Sequence, residues 1–153
     1  MMESMGVQEN VEFMRTELTR IMDDFCRKVS PLQYGAKHRL NVCETESVNL
    51  IVALEFFKKI DGDDVSIVAY CKVINGKFNL ESSVTINMAE YDYNDINSPL
   101  NVPSLDVDGP YLEGGGVPLQ DQTGEYKKWL DGFSEFLSKN LNIICSSIKN
   151  LPG

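Results

Sequence analysis

The residue types that do chemistry are sparse in this chain and widely scattered. The one histidine, His38, stands between Lys37 and Arg39 ahead of a strand-like run. An imidazole works as a general base when a nucleophile or an orienting carboxylate lies within hydrogen-bond reach. No Ser, Cys or Asp flanks His38 at a spacing such sites use, so it is expected to be a solvated residue on a basic edge. Gly114-Gly115-Gly116 is the one glycine cluster. A phosphate cradle needs a strand before the glycines and a helix after them. Here a proline-containing stretch precedes and Val117-Pro118 follows, which predicts a flexible loop. No catalytic residue and no cofactor are expected.

The carboxylates invite a test for calcium. A standard loop needs D-x-[DN]-x-[DN]-G and a glutamate at its twelfth position. Asp92-Tyr93-Asn94-Asp95-Ile96-Asn97 misses the third ligand position and the glycine. Asp106-Val107-Asp108-Gly109 and Asp61-Gly62-Asp63-Asp64 are short pieces that also suit turns. No metal site is therefore assigned. Cys26, Cys43, Cys71 and Cys145 lie far apart without a C-x-x-C pair, each among apolar or strand residues. Free cysteine packs as a small hydrophobe, and the expectation is four buried, reduced thiols.

Charge is distributed unevenly. The chain carries a formal −9, yet residues 1–60 sum to −1 and residues 127–153 to +2, leaving −10 for residues 61–126. A field of that sign repels nucleic acid and anionic membrane and attracts a basic protein. Residues 1–20 lack the basic start, apolar block and cleavage site of a signal peptide, and LIVAL at 50–54 is too short to span a bilayer. A cytoplasmic location is expected, with residues 1–153 as a single domain.

The elements that must position these residues follow from periodicity. Val7, Val11, Met14, Leu18, Ile21, Phe25 and Val29 recur at intervals of three and four, one stripe of an amphipathic helix ended by Ser30-Pro31. Strand-like runs cover 38–46, 48–57, 64–74 and 77–88. Asn75-Gly76 between the last two is a two-residue hairpin signal. Alternation predicts Val73 opposite Phe78, Cys71 opposite Leu80, Ala69 opposite Ser82, Ile67 opposite Val84 and Val65 opposite Ile86, with the polar residues on the other face. A final helix, capped by Asp121 or Thr123, carries the stripe Trp129, Phe133, Phe136, Leu137, Leu141, Ile144 and Ile148. The expected fold class is α+β: an N-terminal helix, a four-stranded antiparallel meander, a long acidic loop and a C-terminal helix, both helices packed on one sheet face.

Residues 90–122 form that loop. From Glu90 to Asp121 it holds seven acids, four prolines and four glycines, without lysine or arginine. Disorder predicts few aromatics, whereas Tyr91, Tyr93, Tyr111 and eight large aliphatics are threaded through it. The segment can cover the second sheet face, where Ile51, Phe57, Val68, Tyr70 and Ile74 would otherwise lie bare. It can equally form a contact surface, with Tyr91, Asp92, Tyr93, Asp95, Asp106, Asp108, Tyr111 and Glu113 as partner-binding residues. Charge and size point to a small protein-binding inhibitor, such as a bacterial immunity protein neutralising a basic toxin. A secretion chaperone-like dimer holding an effector segment is the alternative. A third class is an enzyme or small-ligand protein, with a pocket between helices and sheet lined by Trp129, Phe133, Tyr70 or Phe56. Monomer and homodimer both suit the first reading.

Overall fold

The computed structural model describes residues 2–45, 49–60, 62–74, 77–87, 105–112 and 125–151. Helix α1 spans Met2–Val29, five residues longer at its start than the apolar stripe requires. Val11, Met14, Leu18, Met22, Phe25 and Val29 bury one face of it. It ends at Ser30, which the following proline excludes from the α region and which adopts the left-handed conformation at φ 50°. A 3-10 turn, Pro31–Tyr34, then closes on Gly35 at φ 73°, where a side chain would be strained.

Five antiparallel strands follow in chain order: β1 Lys37–Glu44, β2 Leu50–Phe57, β3 Asp64–Ile74, β4 Lys77–Asn87 and β5 Leu105–Asp108. The register expected for β3 and β4 holds at every predicted pair, from Val73–Phe78 to Val65–Ile86. Ile74 pairs with Lys77, so Asn75-Gly76, itself outside the described residues, is a two-residue connection. Alternation then sorts the sheet. Leu50, Val52, Leu54 and Phe56 of β2 share the buried face with Val65, Ile67, Ala69 and Cys71 of β3 and Leu80, Val84 and Ile86 of β4. Their neighbours along each strand are mostly half-buried and look the other way.

The strand count differs from the expected four. Leu105-Asp106-Val107-Asp108 alternates apolar and acidic residues, pairs with Ser83–Ile86, and turns part of the anticipated loop into an edge strand. Asp106-Val107-Asp108-Gly109 is accordingly no turn. The C-terminal helix is also divided, into α2 Glu125–Lys139 and α3 Leu141–Lys149. Asn140 causes the break. Its φ of −100° and ψ of 7° leave the helical region, and its side-chain amide donates to the Phe136 carbonyl at 2.8 Å. An amide that competes for a helix carbonyl disfavours the helix interior. The anticipated caps, Asp121 and Thr123, lie outside the described residues.

The three α-helices among the described residues pack on the buried sheet face, making the two-layer arrangement expected of the sequence. Tyr126, Trp129, Phe133 and Leu137 from α2 and Ile144 and Ile148 from α3 complete the core. Trp129 and Phe133, one turn apart, stack with ring centroids 5.5 Å apart. No helix among the described residues is long and apolar enough to cross a membrane.

Candidate functional site

The acidic segment meets the body along β4. Asp108 lies opposite Ser83, and the next pairing further along is Leu112 with Leu80. Between those two pairings the β5 side carries one residue more than β4, which makes a β-bulge at Gly109-Pro110-Tyr111. Bulges bend an edge and re-aim side chains, and proline is tolerated there because it has no N–H to lose. The Gly109 N–H donates to the Ser82 carbonyl at 2.9 Å, and Leu112 and Leu80 exchange two hydrogen bonds of 2.8 Å.

The bulge is locked from beneath. The Pro110 carbonyl accepts two hydrogen bonds, from the Ser82 hydroxyl at 3.1 Å and the Trp129 indole N–H at 3.0 Å. Gly109 lies so close to its neighbours that a Cβ would stand 2.3 Å from Ser82 Oγ and 2.8 Å from the Phe136 ring. Only glycine fits this approach. Three elements, β4, β5 and α2, therefore hold one tetrapeptide, Asp108–Tyr111, in a fixed path.

That path presents side chains outward. Asp108 is exposed and Tyr111 is 60% exposed. With Tyr70, Glu81, Ser83 and Gly109 they border an open groove of about 350 Å³. Lys72 lies beside it, 3.6 Å from the Glu81 carboxylate and 5.0 Å above the Tyr70 ring. Asp106 occupies the β5 position opposite Thr85, two residues before Asp108. A second group of carboxylates lies across the sheet, where β2 ends and β3 begins. Burial, then the nearby Glu55 and Asp63, raise the Asp64 carboxyl above its ordinary range against the opposing pull of Arg39.

Comparison with protein-family models, curated proteins and solved structures finds no match.

Of the expected contact residues, the structure brings Asp106, Asp108 and Tyr111 together on β5 and its bulge. Tyr91, Asp92, Tyr93, Asp95 and Glu113 lie outside the described residues, as do Gly114–Gly116. Sequence reasoning missed Ser82, Gly109 and Trp129, which set the path of the site. The Asp-Gly-Pro step after an alternating quartet was the available signal, since glycine and proline together suit a bulge.

Other expectations need correction. Phe56, Trp129 and Phe133 are buried in the core, whereas Tyr70 projects from the opposite sheet face, so these four line no common pocket. Cys26 and Cys71 are buried as expected, but Cys145 is half-buried and Cys43 is exposed. Cys43 sits on an edge strand, at a position that faces away from the helices. His38 is exposed at the other end of the same strand, as its basic surroundings suggested. On the second sheet face Phe57 is buried, while Ile51, Val68 and Tyr70 are half-buried.

Proposed function

We propose that this protein is a binding and inhibitor protein of the immunity type, which holds a basic toxin against the acidic rim formed by β5 and its bulge. The observation that carries the reading is the locked Asp108–Tyr111 path, which offers a carboxylate and a tyrosine on a frame already ordered by Ser82 and Trp129. Preorganisation matters because side chains and loops ordered on binding subtract from affinity. Tyrosine supplies contact area at low entropic cost, and carboxylates steer a basic partner. The −10 carried by residues 61–126 adds the long-range field. A basic toxin that acts on nucleic acid would meet this rim as it meets its substrate, and the acidic surface would occupy the substrate's place. The chain itself would act by occupation, without catalysis or cofactor, in the cytoplasm.

The test is binding kinetics against the product of the neighbouring gene, measured across ionic strength. Association should slow as salt rises, and Asp108→Asn with Tyr111→Ala should weaken affinity at least tenfold, about 1.4 kcal/mol. An association rate indifferent to salt removes the electrostatic basis, and unchanged affinity in the double variant moves the contact elsewhere. A secretion chaperone is the second reading. It is favoured by the exposure of edge strand β1, which gives the chain a surface for self-association. Copurification of an unfolded effector segment would select it.

A further inference from the structure

The edge of the sheet farthest from the acidic rim is β1. Of its eight residues, seven are exposed and Leu40 is half-buried. Among the described residues only β2 pairs with it, and its remaining backbone groups turn to the outer side. Thr45 N–H donates to the Asn49 carbonyl at 2.9 Å, just beyond the strand, in the same register that pairs Cys43 with Ile51 and Arg39 with Glu55. Backbone groups alternate sides along an antiparallel strand. The odd residues 37–43 therefore bond to β2, and His38, Leu40, Val42 and Glu44 turn N–H and C=O outward.

We propose that β1 pairs with β1 of a second copy, antiparallel about a two-fold axis at Asn41, to join two sheets into one. An outward residue must meet an outward residue, which restricts the allowed registers to every second one. The register centred on Asn41 uses all four outward residues of each copy and makes about eight inter-strand hydrogen bonds. It sets Leu40 against the second copy's Val42, which is 43% exposed here, so two apolar side chains cover each other on the helix-bearing face. It sets His38 against the second copy's Glu44, because the strand is basic at its start and acidic at its end. Both copies keep their helices on the same side of the joined sheet, and α1, which lies over β1 and β2, flanks the axis.

Edge strands avoid such pairing with proline, bulges or charges directed at the edge. The sequence KHRLNVCE has no proline, and β1 pairs with β2 without a bulge. Two of its three charges are drawn inward, and Lys37 stands at its very start. Arg39 binds Glu55 at 2.6 Å and lies 5.1 Å over the Phe57 ring of its own sheet, and Glu44 is bound by Arg15 of α1. This use of β1 does not depend on the acidic rim, which lies at the opposite edge.

Sedimentation of the full chain over the micromolar range tests the state of assembly, with a rise from 17.2 kDa towards twice that mass expected. Val42→Pro should abolish the rise and leave the fold intact, since the N–H it removes points away from β2. Register is tested by cross-linking. In a Cys43→Ser background, Asn41→Cys places two thiols at a non-hydrogen-bonded pair with Cα atoms about 4.5 Å apart, inside disulfide range. Oxidation should link that variant at least tenfold faster than Cys43 links the unaltered chain, because Cys43 faces Arg39 of the second copy. A chain that stays monomeric throughout, or equal cross-linking rates, overturns the proposal. So does a folded Val42→Pro variant that still dimerises, or an edge that takes up only a foreign extended peptide.

Discussion

At the scale of single residues, two positions have consequences out of proportion to their size. Asp64 is held at the end of the sheet among Glu55, Asp63 and Arg39, and desolvation with the two carboxylates raises its pKa. A raised acid favours the protonated folded state, so the folded protein binds more protons than the unfolded chain in that window. Its contribution is fully favourable below the unfolded value near 3.9 and is lost as pH rises through the folded one. Asp64→Asn should therefore raise stability at pH 7, by about 0.5 kcal/mol for a group still partly hydrated, and the gain should vanish below about pH 4. Thermal melts of the two chains at both pH values check the sign. A variant that is destabilised at pH 7 would mean that the attraction of Arg39 outweighs the other causes. Gly109 is the second position. Gly109→Ala drives a methyl against Ser82 Oγ and the Phe136 ring, and overpacking of this kind costs about 1–3 kcal/mol. Denaturant midpoints would measure it, and loss of partner affinity alongside would show that the bulge presents Asp108 and Tyr111. This role was not legible in the sequence, because Phe136 is brought to Gly109 only by the packing of α2. A glycine inside an acidic run looks like a turn until its neighbours in space are known.

Elements were legible in proportion to how local their determinants are. The β3–β4 hairpin could be read to the individual pair because alternation and Asn75-Gly76 act within one short segment. Strand β5 escaped because only four residues form it and its partner lies across a long connection, so the alternation of Leu105 to Asp108 competed with the turn-forming Asp and Gly around it. The division between α2 and α3 escaped for another reason. The apolar stripe runs unbroken from Trp129 to Ile148, and the single Asn140 that ends one helix lies off that stripe. The C-terminal end of α3 carries its own prediction. Lys58, in the turn after β2, donates from Nζ to the Lys149 carbonyl at 3.1 Å and the Leu151 carbonyl at 2.8 Å. The last carbonyls of a helix have no partner within it, and an ammonium there also meets the negative end of the helix dipole. Lys58→Met keeps most of the stem and removes both bonds. Stability should fall by about 1 kcal/mol and the melting temperature by roughly 3 °C. An unchanged melt would mean that water replaces the ammonium without loss.

For the whole molecule, the sequence carried the fold class and the placement of the helices on one sheet face, since that apolar face needed cover and only α1 and the C-terminal stripe could supply it. The site was legible as a charge and less so as a surface, because composition locates the acids but the bulge decides which of them are held outward. That charge has a thermodynamic effect of its own. Ion pairs among the described residues gather on α1 and β1, where Arg15, Arg20, Arg27 and Arg39 meet nearby carboxylates. Most are solvent-exposed, and such pairs contribute about 0–1 kcal/mol each. The middle of the chain, with 12 acids against two bases, has few cations to answer its repulsion. Salt screens both effects, but it weakens small attractions on one side and a sustained repulsion on the other. Repulsion should dominate at a net charge of −9. Raising sodium chloride from about 20 to 200 mM, which shortens the screening length to below 10 Å, should increase the melting temperature by a few degrees. Lys72→Ala, which leaves Glu81 without its cation, should steepen that dependence. A melting temperature that falls with salt would place the electrostatic balance with the arginine pairs instead, and would weaken the case that the acidic rim is held at a cost for a basic partner.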